Sequence, residues 1–99
     1  DAVYQKDSNS VSITFVDTNK KSSFVVLEIL GMENTFHEEF EIYDSKFTKL
    51  VPLDKVPKYG WKTTPVTLEI TYDESIVYMK TEIHNENQIS PVVIFGKSD

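Results

Sequence analysis

Two histidines, each followed or preceded by carboxylates, are the residues of this sequence best suited to move protons or bind a metal. His37 begins the run HEEFE, and His84 lies in EIHNE. Imidazole nitrogens and carboxylate oxygens bind divalent metals, and histidine changes charge between about pH 5 and pH 8. If the strands that carry the two histidines are neighbours, their polar faces could meet in a metal-binding or pH-sensitive site. Otherwise both faces are solvated surfaces, the usual meaning of such charge patterns.

The usual catalytic motifs are missing from the sequence. It has no Gly-rich phosphate loop, no G-x-S-x-G turn and no H-E-x-x-H motif, and three glycines cannot build a phosphate cradle. It also has no cysteine, which excludes a thiol nucleophile, a disulfide and a cysteine zinc site. We therefore expect a protein that is not an enzyme and that carries no cofactor and no resident metal.

The only tryptophan lies in LDKVPKYGWKTTP, residues 53–65, a segment expected to form a loop. Aromatic and cationic side chains in such a loop offer contact area to a sugar ring or to an acidic protein surface. Alternatively, the ring of Trp61 folds back and plugs one end of the core. The candidate ligand-binding residues of this loop are Trp61, Tyr59, Lys58, Lys62 and Lys55.

The charge of the chain is unevenly distributed. The formal net charge of −6 disfavours nucleic acid and anionic lipid as partners. The local balance is −6 from Glu28 to Asp44 and +4 from Lys46 to Lys62, so the tryptophan loop is a basic part of an acidic protein. No apolar run approaches the roughly 18 residues of a membrane-spanning helix, and we expect no membrane insertion.

Turn-forming clusters recur at intervals of about 8 to 12 residues, a spacing typical of β-sandwiches and barrels. Several of the runs between them alternate apolar and polar residues, as half-buried strands do. The run 22–30 is apolar on both faces for much of its length, which indicates a central strand. The predicted strands outside residues 35–51 are VSITFV (11–16), SSFVVLEIL (22–30), VTLEITY (66–72), SIVYMKTEI (75–83) and PVVIFG (91–96).

The segment 35–51 supports two interpretations. Its aromatic residues fall at helical spacing and lysines lie late in it, which favours a helix at about 35–50. Asp44 and Ser45 interrupt it as a turn would, and EFEIY alternates like a strand. We favour two strands, which gives an all-β, seven-stranded, two-sheet sandwich, immunoglobulin-like or fibronectin-III-like. The alternative is an α+β fold of order ββαβββ.

The chain of 99 residues has the length and composition of one globular domain, residues 1–99. It begins without methionine, so we expect a domain processed or excised from a longer chain, with an extracellular or cell-surface location favoured over the cytoplasm.

Three functions fit these observations. The favoured one is a non-catalytic binding or adhesion module that engages a protein or a glycan through the tryptophan loop or a strand edge. The second is an enzyme inhibitor or host-modulating domain that presents the loop 53–61 to an enzyme cleft. The third is a structural accessory domain of a larger protein, which would bind nothing when isolated.

Overall fold

The computed structural model describes residues 1–31, 35–53, 61 and 64–98. These residues form two β-sheets that contain nine strands, all but one of the pairings being antiparallel. The strands are β1 (Ala2–Gln5), β2 (Ser10–Val16), β3 (Ser22–Ile29), β4 (Phe36–Glu41), β5 (Lys46–Pro52), β6 (Pro65–Tyr72), β7 (Ser75–Glu82), β8 (His84–Asn85) and β9 (Ile94–Ser98).

The sheets have four and five strands. The smaller has the order β5-β2-β1-β8, and the larger has the order β4-β3-β6-β7-β9. The chain passes from one sheet to the other after β2, β4, β5, β7 and β8. The edge strands are therefore β5 and β8 in the smaller sheet, and β4 and β9 in the larger sheet.

The predicted all-β sandwich is confirmed, and the predicted helix at about 35–50 is wrong. Residues 36–41 and 46–52 form β4 and β5, and the turn at Asp44 and Ser45 lies between them. The predictions missed β1 and β8, and the last strand begins at Ile94 rather than at Pro91. No helix of the described residues is long and apolar enough to cross a membrane.

The core lies between the inner faces of the two sheets. The central strands β3 and β6 each contribute three buried side chains to it: Val25, Leu27, Ile29, Val66, Leu68 and Ile70. The opposite sheet contributes Val11 and Ile13 from β2 and Val51 from β5. The inward residues of each strand are two apart because successive side chains of a strand point to opposite faces. The alternation seen in the sequence is therefore the pattern of core and surface.

A buried carboxylate organises the turn between β2 and β3. Asp17 accepts hydrogen bonds from the backbone N–H groups of Asn19, Lys21 and Ser22 at 3.0, 2.8 and 2.8 Å. The hydroxyl of Ser22 donates a further bond at 2.9 Å. Burial raises the pKa of Asp17, and the bonds from Ser22, Lys21 and Asn19 lower it more, so the net pKa lies below its ordinary value.

Because its pKa is lower in the folded state, Asp17 stabilises the fold above the pKa of the unfolded chain, near 3.9. That contribution disappears as the pH falls through the folded pKa. We expect the melting temperature of the protein to fall below about pH 4 and the Asp17→Asn variant to lose part of this dependence. Thermal melts from neutral pH downwards measure this. Asp44→Asn, at an exposed aspartate, is the control, and equal acid sensitivity of Asp17→Asn and the wild type would contradict the prediction.

Candidate functional site

The indole ring of Trp61 packs against the hydrophobic core and is partly buried. Its centroid lies 4.9 Å from that of Tyr4 on β1, with the two rings tilted by 42°. The indole N–H donates a hydrogen bond to the side-chain oxygen of Asn85 on β8, at 3.3 Å. Of the two alternatives for Trp61, a core plug and a ligand contact, these contacts favour the plug.

The other four candidate residues of this loop, Lys55, Lys58, Tyr59 and Lys62, lie outside the described residues. The structure shows how the start of the loop is attached. Leu53, its first residue, donates its N–H to the carbonyl of Asn9 at 2.9 Å, and its carbonyl accepts a bond from the Asn9 side-chain amide at 2.9 Å. Asn9 also accepts a bond from the hydroxyl of Tyr4 at 2.8 Å.

Asn9 therefore connects Leu53, at the start of the loop, to the β1–β2 hairpin, and Tyr4, which donates to Asn9, contacts Trp61. Asn9 has a left-handed backbone with φ of 48°, a conformation that asparagine adopts more readily than most residues. Sequence reasoning did not single out Asn9. Its place in KDSNS, between two short apolar runs, is the signal that could have found it as a turn residue.

The two histidines lie in different sheets, so the site that would form if their faces met does not exist. His37 is on β4, an edge of the five-stranded sheet, whereas His84 is on β8 in the other sheet. Among the described residues, no group of three or more histidines, cysteines, aspartates and glutamates is arranged to hold a metal ion.

His84 is buried and is held by three contacts. Its Nε2 lies 2.7 Å from a carboxylate oxygen of Asp1 and 3.4 Å from the hydroxyl of Ser90, and its Nδ1 lies 2.9 Å from the carbonyl oxygen of Asn85. In a catalytic triad the acid and the nucleophile occupy opposite nitrogens of the ring. Here both lie at the same nitrogen, so this arrangement ties Asp1 to His84 on β8 and does not prepare Ser90 as a nucleophile.

His37 lies between two carboxylates on the outer face of the larger sheet. Its Nε2 is 2.9 Å from Glu39 and its Nδ1 is 3.1 Å from Glu28, the residue opposite it on β3. The hydrogen bonds to Glu39 and Glu28 raise the pKa of His37 above its ordinary value. The sequence already suggested Glu39 as a neighbour of His37, because the two are two residues apart. Glu28 could not be predicted in this way, because it reaches His37 only through the register of β3 with β4.

A raised pKa means that His37 stabilises the fold fully below the pKa of the unfolded chain, near 6.5, and that this contribution disappears as the pH rises through the folded pKa. We expect an NMR titration to place the His37 pKa above about 6.5. Glu39→Gln and Glu28→Gln should each lower it, because each removes one carboxylate acceptor. Glu74→Gln, at an exposed glutamate in another turn, is the control. A His37 pKa that is the same in all variants would contradict this assignment.

Among the strands that the structure describes, four lie at sheet edges, and three of these carry features that discourage pairing with another strand. On β4 these are the acids Glu38, Glu39 and Glu41, with Glu38 pointing inwards and bound to Lys49 at 2.6 Å. On β5 they are Lys46, Lys49 and Pro52. The third edge, β8, is two residues long.

The fourth edge, β9, is apolar and exposed. Ile94 and Phe95 are 64% and 66% exposed, and Lys97 is the one charged residue of the strand. Tyr78, on the neighbouring strand β7, is 46% exposed and lies opposite Gly96. Because Gly96 has no side chain, a shallow groove of about 410 Å³ opens beside Tyr78, bounded also by Lys80 and Ile94.

Sequence reasoning predicted the run that contains β9 as a closing strand and did not identify Ile94 and Phe95 as candidate contact residues. The signal available in the sequence was a strand-like run with five apolar residues in succession, PVVIF, near the end of the chain.

The chain matches no protein-family model, no curated protein and no solved structure.

Proposed function

We propose that this chain is a non-catalytic protein-binding module of the immunoglobulin-like or fibronectin-III-like kind, and that it binds through the edge strand β9. In support of that fold type, β5-β2-β1 packs against β4-β3-β6-β7, with the chain changing sheets after β2, β4 and β5. This is a connectivity of the Greek-key sandwiches. The strands β8 and β9 are then additions to a seven-stranded sandwich.

The observation that carries the proposed function is the contrast between β9 and the other three edges. An exposed edge strand has unpaired N–H and C=O groups, to which an extended segment of another protein can add as a further strand. Three edges are protected by charge, by proline or by short length, and β9 presents Ile94 and Phe95 to water. Main-chain bonds would provide affinity, and the side chains on the two faces would provide specificity.

A protein ligand is favoured over a glycan at this edge. The loop aromatic that the sequence offered for stacking on a sugar ring, Trp61, is partly buried against Tyr4, and the exposed rings of Phe95 and Tyr78 lie beside a backbone edge. Strand addition needs a backbone edge, which β9 provides. The exposed side chains of Ile94, Phe95 and Tyr78 beside it are aliphatic or aromatic, as in the buried centre of a protein interface, and the exposed Lys80 and Lys97 flank them.

Selection of a phage-displayed library of random peptides on the wild-type chain tests this proposal. We expect the selected peptides to bind Phe95→Lys at least about tenfold more weakly, because a lysine placed in the apolar contact must be desolvated. Leu50→Lys is the matched control, since Leu50 is a similarly exposed apolar residue on the edge strand β5. Peptides that bind Phe95→Lys as tightly as the wild type would overturn β9 as the site, and peptides that depend on Trp61 would return it to the loop.

A further inference from the structure

We propose that the strand that pairs with β9 is β9 of a second copy of this chain, which makes the protein a two-fold symmetric dimer with one continuous ten-stranded sheet. This inference rests on the proposed function, because it names the partner at the same edge. A two-fold axis perpendicular to the sheet pairs the two β9 strands antiparallel and keeps both outer faces on the same side. Such closed, self-complementary contacts are the commonest in homo-oligomers.

The distribution of charge favours a second copy joined through this edge. On β9 and on the β7 residues that pair with it, Ile76 to Lys80, the charged residues are Lys80 and Lys97, without an acid. The acids Glu38, Glu39 and Glu41 lie on β4, at the opposite edge of the same sheet, whereas Glu28 on β3 and Glu69 on β6 line the groove beside Tyr78. Of the two edges of this sheet, the β9 edge therefore places fewer acids against a second copy.

The resulting dimer keeps its two acidic edges apart. Neighbouring strands are about 4.8 Å apart, so the two β4 strands of a ten-stranded sheet are separated by roughly 40 Å. That distance is well beyond the screening length of about 10 Å at 0.1 M salt. Pairing of two β4 edges would instead place like charges opposite each other. If β9 of one copy paired with β4 of another, its apolar side chains would contact the inward-pointing Glu38. Each such pair would also leave one β9 and one β4 edge free, to which further copies could add.

The side chains of β9 are also complementary to themselves. On the inner side of the strand, Phe95 is followed by Lys97, and on the outer side Ile94 is followed by Gly96. An antiparallel pair centred near Phe95 and Gly96 places Phe95 beside the partner's Phe95 or beside the partner's Lys97. Both contacts are favourable, the first between aromatic rings and the second between a cation and a ring. The small size of Gly96 leaves the outer face free of a clash at the centre.

A pair of five-residue strands is a small contact compared with the standard interface of about 1,600 Å². The dimer should therefore dissociate on dilution, and a covalent trap is the appropriate test. The chain has no cysteine, so the cysteine of a single-cysteine variant can form a disulfide only with the same cysteine of a second copy. A Cβ at position 96 would meet the Cβ of Tyr78 at 4.0 Å, an ordinary contact, so Gly96→Cys is tolerated.

The experiment compares Phe95→Cys and Gly96→Cys with Leu50→Cys under mild oxidation, read on non-reducing gels. We expect at least one of the two β9 variants to form disulfide-linked dimer at least about tenfold faster than the Leu50 control, because the residue nearest the axis lies within disulfide reach of its own copy. Sedimentation of the wild-type chain should show concentration-dependent dimer, and Phe95→Lys should remove it.

Equal crosslinking of the β9 and Leu50 variants, together with a monomer at all concentrations, would overturn the second copy as partner. The peptide selection separates this failure from that of the proposed function. If the wild-type monomer still selects peptides that Phe95→Lys does not bind, the edge is a binding site for a different protein strand. If both experiments fail, β9 is not an interaction surface.

Discussion

Replacing Leu27 with alanine should lower the free energy of unfolding by about 3 kcal/mol, the largest single effect that we expect in this protein. Leu27 is fully buried on the central strand β3, between Glu38 on β4 and Leu68 on β6. The change removes apolar contacts and leaves a cavity that the two packed sheets can fill only in part. Small domains have a stability of about 5 to 15 kcal/mol, so this loss is a large fraction of the total.

The matched control is Leu50→Ala, because Leu50 is the same residue type on a strand but is 56% exposed. The free energy of unfolding of this variant should remain within about 0.5 kcal/mol of the wild-type value. Urea unfolding followed by Trp61 fluorescence measures both variants, and the slope with urea should be the same in both if only stability changes. In thermal melts, the Leu27 variant should unfold roughly 15 °C lower than the wild type. Equal losses for the two leucines would mean that the sheets do not pack on Leu27.

The sequence was a good guide to the strands because their alternation is a local property. Val11 and Ile13, or Val66 and Leu68, are two residues apart and are all buried. The helix alternative at 35–50 arose because a spacing of four residues fits both structures. Phe36 and Phe40 share one face of a helix, and they share one face of β4 as well. The turn at Asp44 and Ser45 decided between the two, since a helix would have continued through it.

The parts that could not be predicted depend on which strands are neighbours. The strand β8 has two residues and pairs in parallel with β1, about 80 positions earlier in the chain. The contact between His37 and Glu28 comes from the register of β3 and β4. In the same way, an edge strand is identified by a missing neighbour, so the sequence of β9 indicated a strand without revealing its open side.

The second large effect concerns the tryptophan that lies next to the undescribed part of the loop. Trp61→Ala should lower the free energy of unfolding by about 2 kcal/mol, roughly half of the loss at a fully buried aromatic residue. In the wild type the ring is partly buried against the core, contacts Tyr4 and donates a hydrogen bond to Asn85. The alanine variant loses all three interactions. Tyr43→Ala is the control, because Tyr43 is 84% exposed and its loss should stay within about 0.5 kcal/mol.

Fluorescence of the single tryptophan distinguishes the two roles of Trp61 independently of stability. Since one face of the ring meets Tyr4, the emission should be blue-shifted and poorly quenched by iodide. Tyr4→Ala should shift the emission to the red and increase quenching, because it removes the contact and opens the ring to water. A red, readily quenched signal in the wild type, with a negligible loss of stability in Trp61→Ala, would mean that the ring is held in solvent. The binding surface would then be the loop with Trp61 and its lysines, and the proposal for β9 would lose the argument that the tryptophan is committed to the core.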